Sequence, residues 1–429
     1  MRREKMRLFI LPLVLLLLLP GLAEAAMTAR SIGLGDDFAV IGGFEALYGN
    51  PATVNLDGHK FVLDLSGTGK FWNNILRNDY ISEKDKDKLV KIADRNGLLV
   101  GAEANSGLKL AIGPVLFFAE GRGHSLLRVS GDYAELLLKG NELERDYSLD
   151  GSNGAGAFYL DTGLNYSHRL NERQLEAVNE SINNDNLQIE NLYFGLTYHY
   201  LQGGFIKYRA TGELFNIGFD EDGVGEITGS YGSMALYYPE IEGFADLARG
   251  HAFDLGVYAD INECYSVGFS ILNLAASLKV DKVREEGLEI KFNEETEEWE
   301  YDNTADLEIY NYEENVMRLP LIIKLGGKME VFEGLDLLAN YTITSYRDSI
   351  YEKAPTDHRF GLAAEFDRLK FIPLRTGITY STLESSLAWS AGMGLHLGPL
   401  HLDFGFSDLT GLFYRSKGVN AGLNLSLVF

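Results

Sequence analysis

VNAGLNLSLVF, residues 419–429, closes the chain on a strict alternation. Val419, Ala421, Leu423, Leu425, Leu427 and Phe429 share one parity; Asn420, Gly422, Asn424, Ser426 and Val428 share the other. Successive side chains of a strand point to opposite faces, so one face is apolar and the other mostly small or polar. In a soluble sandwich the apolar face would meet a second sheet. In a membrane barrel it would meet lipid, with the polar face turned to the lumen. The ending poses the choice without settling it.

The opposite terminus narrows the choice. MRREKMR carries four basic residues, Leu8 to Leu19 is almost wholly apolar, and Ala23-Glu24-Ala25 follows. Residues 1–25 therefore read as a signal peptide, since a dozen apolar residues are too few to span a bilayer. Export through it implies the outer membrane of a diderm bacterium. Cleavage removes four basic and two acidic residues, taking the net charge from -24 to -26. So acidic a chain repels nucleic acid. The single cysteine, Cys264, excludes an internal disulfide. No later apolar run reaches the length of a membrane helix, so any crossing falls to strands.

The second half repeats the terminal pattern. Phe253, Leu255, Val257, Ala259 and Ile261 alternate with Asp254, Gly256, Tyr258 and Asp260. Similar runs follow around 265–271, 319–330, 335–344, 359–367, 372–380, 387–397 and 400–407, with charges on one parity. Many have about ten residues, the length of a tilted membrane strand. Short turns (262–263, 333–334, 367–370, 398–399) alternate with longer loops (275–317, 347–356, 408–417). Outer-membrane barrels put short turns in the periplasm and long loops outside. The first half reads as strands near 59–68, 97–105, 107–121, 154–166 and 190–210, with helical pieces in 82–97, 126–143 and 169–185. Residues 211–250 read as an extracellular hairpin turning at Asp222-Gly223. The expectation is an all-β membrane protein, an antiparallel transmembrane β-barrel of about 14 strands, or 16 if that hairpin joins the wall. The barrel occupies 59–429 and carries an acidic extracellular loop at 275–317.

Between signal and barrel lies ARSIGLGDDFAVIGGFEALYGNPATV, residues 29–54. Its glycines lack the register of a phosphate loop. The opening ARS, the ALY and the NPA resemble the start of the FadL-type long-chain fatty-acid outer-membrane transporters and, more closely, related barrels that include the PorV-like proteins. NGLLVGAEANSGLKLAIGPVLFFAEGRG (96–123), HAFDLGVYADINECYSVGFSILNL (251–274) and the last seventy residues carry the likeness further. The resemblance implies a fourteen-stranded barrel with an N-terminal hatch, here 26–58, and gating roles for Ser31, Gly33, Gly35, Asp36, Asp37, Asn50 and Pro51. It implies gated transport of hydrophobic small molecules such as fatty acids, or else a structural barrel holding a secreted protein. Phe429 resembles the aromatic end read by the barrel assembly machinery. Gly49 and Asp36 depart from the family pattern.

Catalytic motifs are missing: no HExxH, no GxSxG, no Cys/His metal spacing. His396 and His401 share lumen parity with Asp403, an arrangement that polar packing explains more simply than hydrolysis. No enzyme, cofactor or metal is expected. FDEDGVGE (219–226) lacks a full calcium ladder and reads as a turn. DKVREEGLEIKFNEETEEWEYDNTADLEIYNYEEN (281–315) holds fourteen acidic and three basic residues and reads as a solvated loop. Inward parity also assigns Lys324, Lys328, Arg359 and Arg375 to the lumen, with Glu330, Asp336, Glu365 and Asp403. Such mixed charge predicts a braced interior, with lipid outside, and not an open pore of one sign.

Overall fold

Strands whose two faces differ this sharply need two different surroundings, and ring closure supplies both. The computed structural model describes residues 27–429 apart from 57, 76–79, 141–144, 146, 183–187, 214–215, 220–224, 229–230, 263, 294–295, 297, 310–313, 352, 370 and 409–416. Residues 1–25, where the signal peptide is expected, and the Asp222-Gly223 turn lie outside the described residues.

Among the described residues fourteen strands form the wall. They are β1 (Phe61–Asn73), β2 (Leu98–Ile112), β3 (Val115–Val129), β4 (Ser152–Arg169) and β5 (Ile189–Glu213). Next come β6 (Ala248–Ile261), β7 (Tyr265–Leu274), β8 (Leu321–Phe332), β9 (Leu335–Ser345) and β10 (Thr356–Phe366). β11 (Leu374–Ser381), β12 (Ser386–Leu397), β13 (Leu400–Ser407) and β14 (Gly418–Val428) complete it. Each pairs antiparallel with its neighbour in sequence. β14 returns to β1 in register from Val62↔Val428 to Trp72↔Gly418, closing the barrel. No described helix is long and apolar enough to cross a membrane. The strands make the crossing, since a closed ring leaves no backbone edge unpaired in lipid.

The short-turn end and the long-loop end are distinct, as expected. Between β2 and β3 the turn is Gly113-Pro114, not residues near 106: Gly113 has φ +55°, while Ser106 and Gly107 pair within the ladder. At the loop end, α1 (Glu83–Asn96) is N-capped by Ser82, whose hydroxyl accepts from Asp85 N–H. It packs on α2 (Gly131–Lys139) through Leu89, Val90, Ala93, Ala134 and Leu138. The expected helix at 126–143 is shorter because Leu126–Val129 completes β3. α3 (Glu172–Ile182) lies at the turn end between β4 and β5.

The acidic stretch is not a plain solvated loop. Val283–Asn293 and Glu298–Ile309 form a hairpin, and the first of these strands pairs with Tyr231–Pro239, itself paired to the far end of β5. The wall thus continues beyond the barrel rim as a curtain of sheet. It adds no strand to the ring, and the count stays at fourteen.

Outward residues along β14 are exposed, Leu423 at 46%, while Asn424 beside it is buried inside. Leu423 sits mid-strand, opposite Phe404 of β13 and Gly67 of β1. An arginine there meets lipid at about +2–4 kcal/mol near the midplane. Leu423→Arg should therefore lower the denaturant midpoint of refolding into vesicles markedly. A variant as stable as the parent would show that this face does not meet lipid.

Candidate functional site

The lumen is occupied by the chain's own N-terminal segment. Residues from Met27 to Val54 are nearly all buried, crossing from the β11–β14 side of the ring to the β4–β6 side. Local sequence sets its shape. A short helix, Ala29–Leu34, is N-capped by Thr28 and ends at Gly35, whose φ of +92° only glycine adopts readily. Asn50 caps the turn Pro51–Thr53, its Oδ1 accepting from Ala52 N–H at 3.0 Å with Pro51 in the first position. Asn50 Nδ2 also donates to the carbonyls of Ala39 and Val257, both at 2.8 Å. One asparagine thereby folds the segment and ties it to β6.

A belt of inward glycines receives the backbone of this segment. A Cβ at Gly195 or Gly256 would strike Pro51 or Asn50; at Gly268, Ala39; at Gly377, Leu34; at Gly392, Gly33; at Gly405, Ala29. Wall polar groups complete the seat. Asn424 Oδ1 accepts from Ala29 N–H (2.7 Å), Thr379 donates to Gly35 O (2.9 Å), and Ser270 donates to Gly49 O (2.6 Å). The family departures fit this seat. A side chain at Gly49 would crowd the carbonyls of Phe38 and Glu45. Asp36 Oδ2 accepts from Asn340 Nδ2 at 3.1 Å and Thr342 Oγ1 at 3.2 Å. Gly256→Val should leave the barrel folded but unseat the segment. Arg30, the only Lys or Arg between Met27 and His59, then becomes a trypsin site. Cleavage no faster than in the parent would mean the belt is not what holds it.

The expected lumen charges divide into two sets. Arg30 grips Glu365 through Nε (3.0 Å) and Nη2 (2.8 Å), and Arg375 Nε donates to Glu365 Oε1 at 2.8 Å while pairing with Asp403. Lys324 Nζ donates to Asp37 O at 3.1 Å, and Arg359 binds Glu384 at 2.9 Å. These side chains lie inside the barrel. Lys328–Asp336 (3.5 Å) is only half-buried, and Glu330 is exposed, because this end of β8 reaches the turn-side rim. His396 Nε2 lies 3.4 Å from Asp403, and its ring stacks on His401, whose Nε2 faces Gly398 O. The geometry is that of packed rim residues, and among the described residues no serine hydroxyl is bonded to either imidazole.

A larger network went unread in the sequence. Asp64 accepts from Lys109 Nζ (3.2 Å), which also pairs with Glu120 (3.2 Å). Arg122 bridges Glu120 (2.8 Å) and Asp161 (3.0 Å). His199 then joins Asp161 through Nδ1 (3.0 Å) and Asp254 through Nε2 (2.8 Å). The chain of charges steps through β1 to β6, one strand at a time. Tyr48 of the N-terminal segment docks at its centre: its hydroxyl donates to Glu120 and accepts from Asn105 Nδ2 at 2.6 Å. Lys109 and Arg122 stand over its ring at 5.3 and 5.2 Å. The readable signal was Glu120 and Arg122 two residues apart, hence on one face of β3.

Above this segment, at the loop end, the lumen is apolar. Ile350 and Tyr351 from loop 346–355 pack with Leu319, Leu201, Phe205 and Tyr159. Tyr351 OH donates to Leu126 O at 3.2 Å, and buried Lys207 pairs with Asp348 at 3.0 Å. Loop 346–355 is thus pinned across the mouth. Between it and the N-terminal segment lies a chamber of about 100 Å³ lined by Asp36, Asp37, Tyr48, Trp72, Lys324 and Arg359 among others.

No protein-family model matches the chain, and no curated protein matches it. Solved structures do. The toluene transporter TbuX of Ralstonia pickettii aligns at 14% identity over 94% of this chain and 98% of its own, with a TM-score of 0.51. A deltaS2 mutant of the monoaromatic hydrocarbon channel TodX aligns at 12% identity over 94% and 99%, with a TM-score of 0.55. A Pseudomonas aeruginosa FadL homologue covers 95% of the chain at 10% identity and a TM-score of 0.47. At these identities the likeness is one of architecture: the chain shares its closed-barrel fold with TbuX and the TodX channel.

Proposed function

We propose that this protein is a gated outer-membrane barrel for small hydrophobic molecules, with the long-loop end extracellular and Met27–Val54 acting as the hatch. The apolar cluster beneath loop 346–355 carries the reading. It offers an extracellular site where an apolar molecule leaves water, at about 25 cal/mol per Å² of apolar surface buried. Passage to the periplasm then requires the loop to lift and the hatch to move. TbuX is described as a toluene transporter and TodX as a monoaromatic hydrocarbon channel, which supports cargo of that size. Shortening 347–354 to a glycine linker should raise whole-cell uptake of labelled toluene and oleate several-fold in a host lacking its own such transporter. Uptake equal to that of cells with no barrel, in parent and shortened chain alike, would sink the proposal.

A second reading, a barrel that holds a secreted protein, draws support from the sheet beyond the rim. Among the described residues Glu298–Ile309 pairs with Val283–Asn293 alone, which would leave a strand edge on which an extended segment could add. Loss of any co-purifying protein on deleting 281–315 would favour it over transport.

Phe429 closes the turn-side rim: its N–H donates to Phe61 O at 2.9 Å and its ring lies 5.9 Å from that of Phe61. As an assembly signal it makes its own demand. A chain lacking Phe429 should be exported yet remain outside the membrane fraction, and normal insertion would end that reading.

A further inference from the structure

We infer that the outer face of the wall, at the loop ends of β6 to β9, holds the phosphates of an anionic outer-leaflet lipid through Arg249, Lys279, Arg318 and Arg347. The inference goes beyond the transport reading and shares with it only the placing of the long-loop end outside the cell. Strand parity puts the four cations on one face. Along β6, Ala248 and Ala252 are buried in the mouth cluster, so Arg249, His251, Phe253 and Leu255 point outward, and all four are exposed. Just beyond β7, Ser277–Lys279 pairs with Val316–Arg318. Leu278 and Met317 are buried in the same cluster, which turns Lys279 and Arg318 outward. Arg347 stands between Tyr346, which packs on the cluster, and buried Asp348, and its Nη2 donates to Asn273 O at 3.3 Å.

These cations are unmatched. A chain with 62 acidic and 38 basic residues has carboxylates to spare, yet among the described residues none pairs with any of the four. Glu240 is taken by Arg284, Asp246 by the N–H groups of Glu242 and Gly243, and Asp348 by Lys207. Asp281, beyond Lys279, is followed at once by Lys282. Arg249 and Lys279 are direct partners across the strands, and like charges so placed destabilise a sheet. Burial and the neighbouring Arg318 hold the Arg347 guanidinium below its ordinary value. Arg347 Nε is buried without a hydrogen-bond partner, which costs the desolvation of that donor. A phosphate answers all three: it brings negative charge and several acceptor oxygens, and guanidinium groups grip it in paired hydrogen bonds.

Depth in the wall selects a lipid over a soluble anion. Toward the turn end from these cations, His251 stacks with Tyr198 and Tyr200, and Tyr341 stacks with His358 and Phe360. Such rings form the girdle where a barrel meets the bilayer interface. Phe253, Leu255 and Phe269 follow, each more than 40% exposed on the lipid side. The cations therefore sit at headgroup level and are continuous with a surface for acyl chains. A phosphorylated lipid uses both surfaces, and a free anion only the first.

Native mass spectrometry of the intact chain in detergent tests this with three probes: bisphosphorylated lipid A, the same lipid stripped of both phosphates, and inorganic phosphate as competitor. The phosphorylated lipid is expected to bind at least about tenfold tighter than the stripped one and to resist a large excess of inorganic phosphate. Arg318→Gln combined with Arg347→Gln should abolish the preference, and lysine at both positions should keep part of it. Arg249→Gln should weaken it from the other edge of the patch, which keeps the test alive if the double variant does not fold. Equal affinity for the two lipids would overturn the inference. So would displacement by inorganic phosphate at matching concentration, or a full preference retained in every glutamine variant. None of these readings involves cargo uptake, so the patch and the transport reading fail separately.

Discussion

Deleting residues 27–54 is expected to turn a nearly closed barrel into a conducting pore, with a clear rise in single-channel conductance in planar bilayers. Fourteen tilted strands enclose more cross-section than inward side chains fill. Here the balance is supplied by the N-terminal segment, whose backbone is seated against six inward glycines. Those glycines contribute no side chain to refill the space once the hatch is gone. Arg375 and Glu365, freed from Arg30, would then face water in the lumen. A truncated chain that shows a folded gel shift yet conducts no better than the parent would remove the hatch from the account. The interaction reading would then stand ahead of transport.

Lys109→Met is expected to destabilise the barrel by about 3–5 kcal/mol, the usual result of removing one partner from a buried charge group. Lys109 is fully buried between Asp64 and Glu120, themselves 0% exposed. Its loss leaves Asp64 with Ser426 and Asn424, and Glu120 with Arg122 and Tyr48. The surplus negative charge then has no water to share it. Adding Glu120→Gln should restore part of the loss, because it removes one of the stranded carboxylates. Urea unfolding from vesicles measures both steps. A single variant within 1 kcal/mol of the parent would mean that the interior is wetter than this packing implies.

How far the sequence revealed these features depended on what fills the lumen. From β6 to β14 the inward face is charged or small because it meets the N-terminal segment and its braces, so parity was plain and strands could be counted. At the loop ends of β2 to β5 the inward residues are Leu99, Leu126, Ala155, Tyr159 and Phe205, packed against apolar loops. There both faces are apolar and the alternation disappears; β4 and β5 were still read within a few residues of their bounds, and the boundary between β2 and β3 was the one set wrongly, at 106 instead of at Gly113-Pro114. Asn50-Pro51-Ala52 could be recognised since its cap is local. The network from Asp64 to Asp254 could not: Lys109 lies 45 positions from Asp64, and His199 lies 38 from Asp161. Only strand register brings such residues together. The acidic hairpin at 283–309 was hidden by its composition, since its pairing is set by the backbone of the neighbouring sheet.

The seat of the N-terminal segment also joins the two ends of the chain. Ala29 is bonded to Asn424, 395 positions later, and Ala29–Leu34 rests on β11 to β14. Pro51 instead rests on Asn165 of β4 and beside Gly195 of β5. As the polypeptide is made, the Asn50–Thr53 end can find its place once β4 to β6 exist, while the Ala29 end must wait for the last strands synthesised. The Ala29 end of the N-terminal segment can therefore make its contact to Asn424 only when β14 is in place against β1. A barrel that stalls before closure keeps that leading half loose, so an intact Arg30 in a protease challenge reports completed insertion without any probe of the membrane itself.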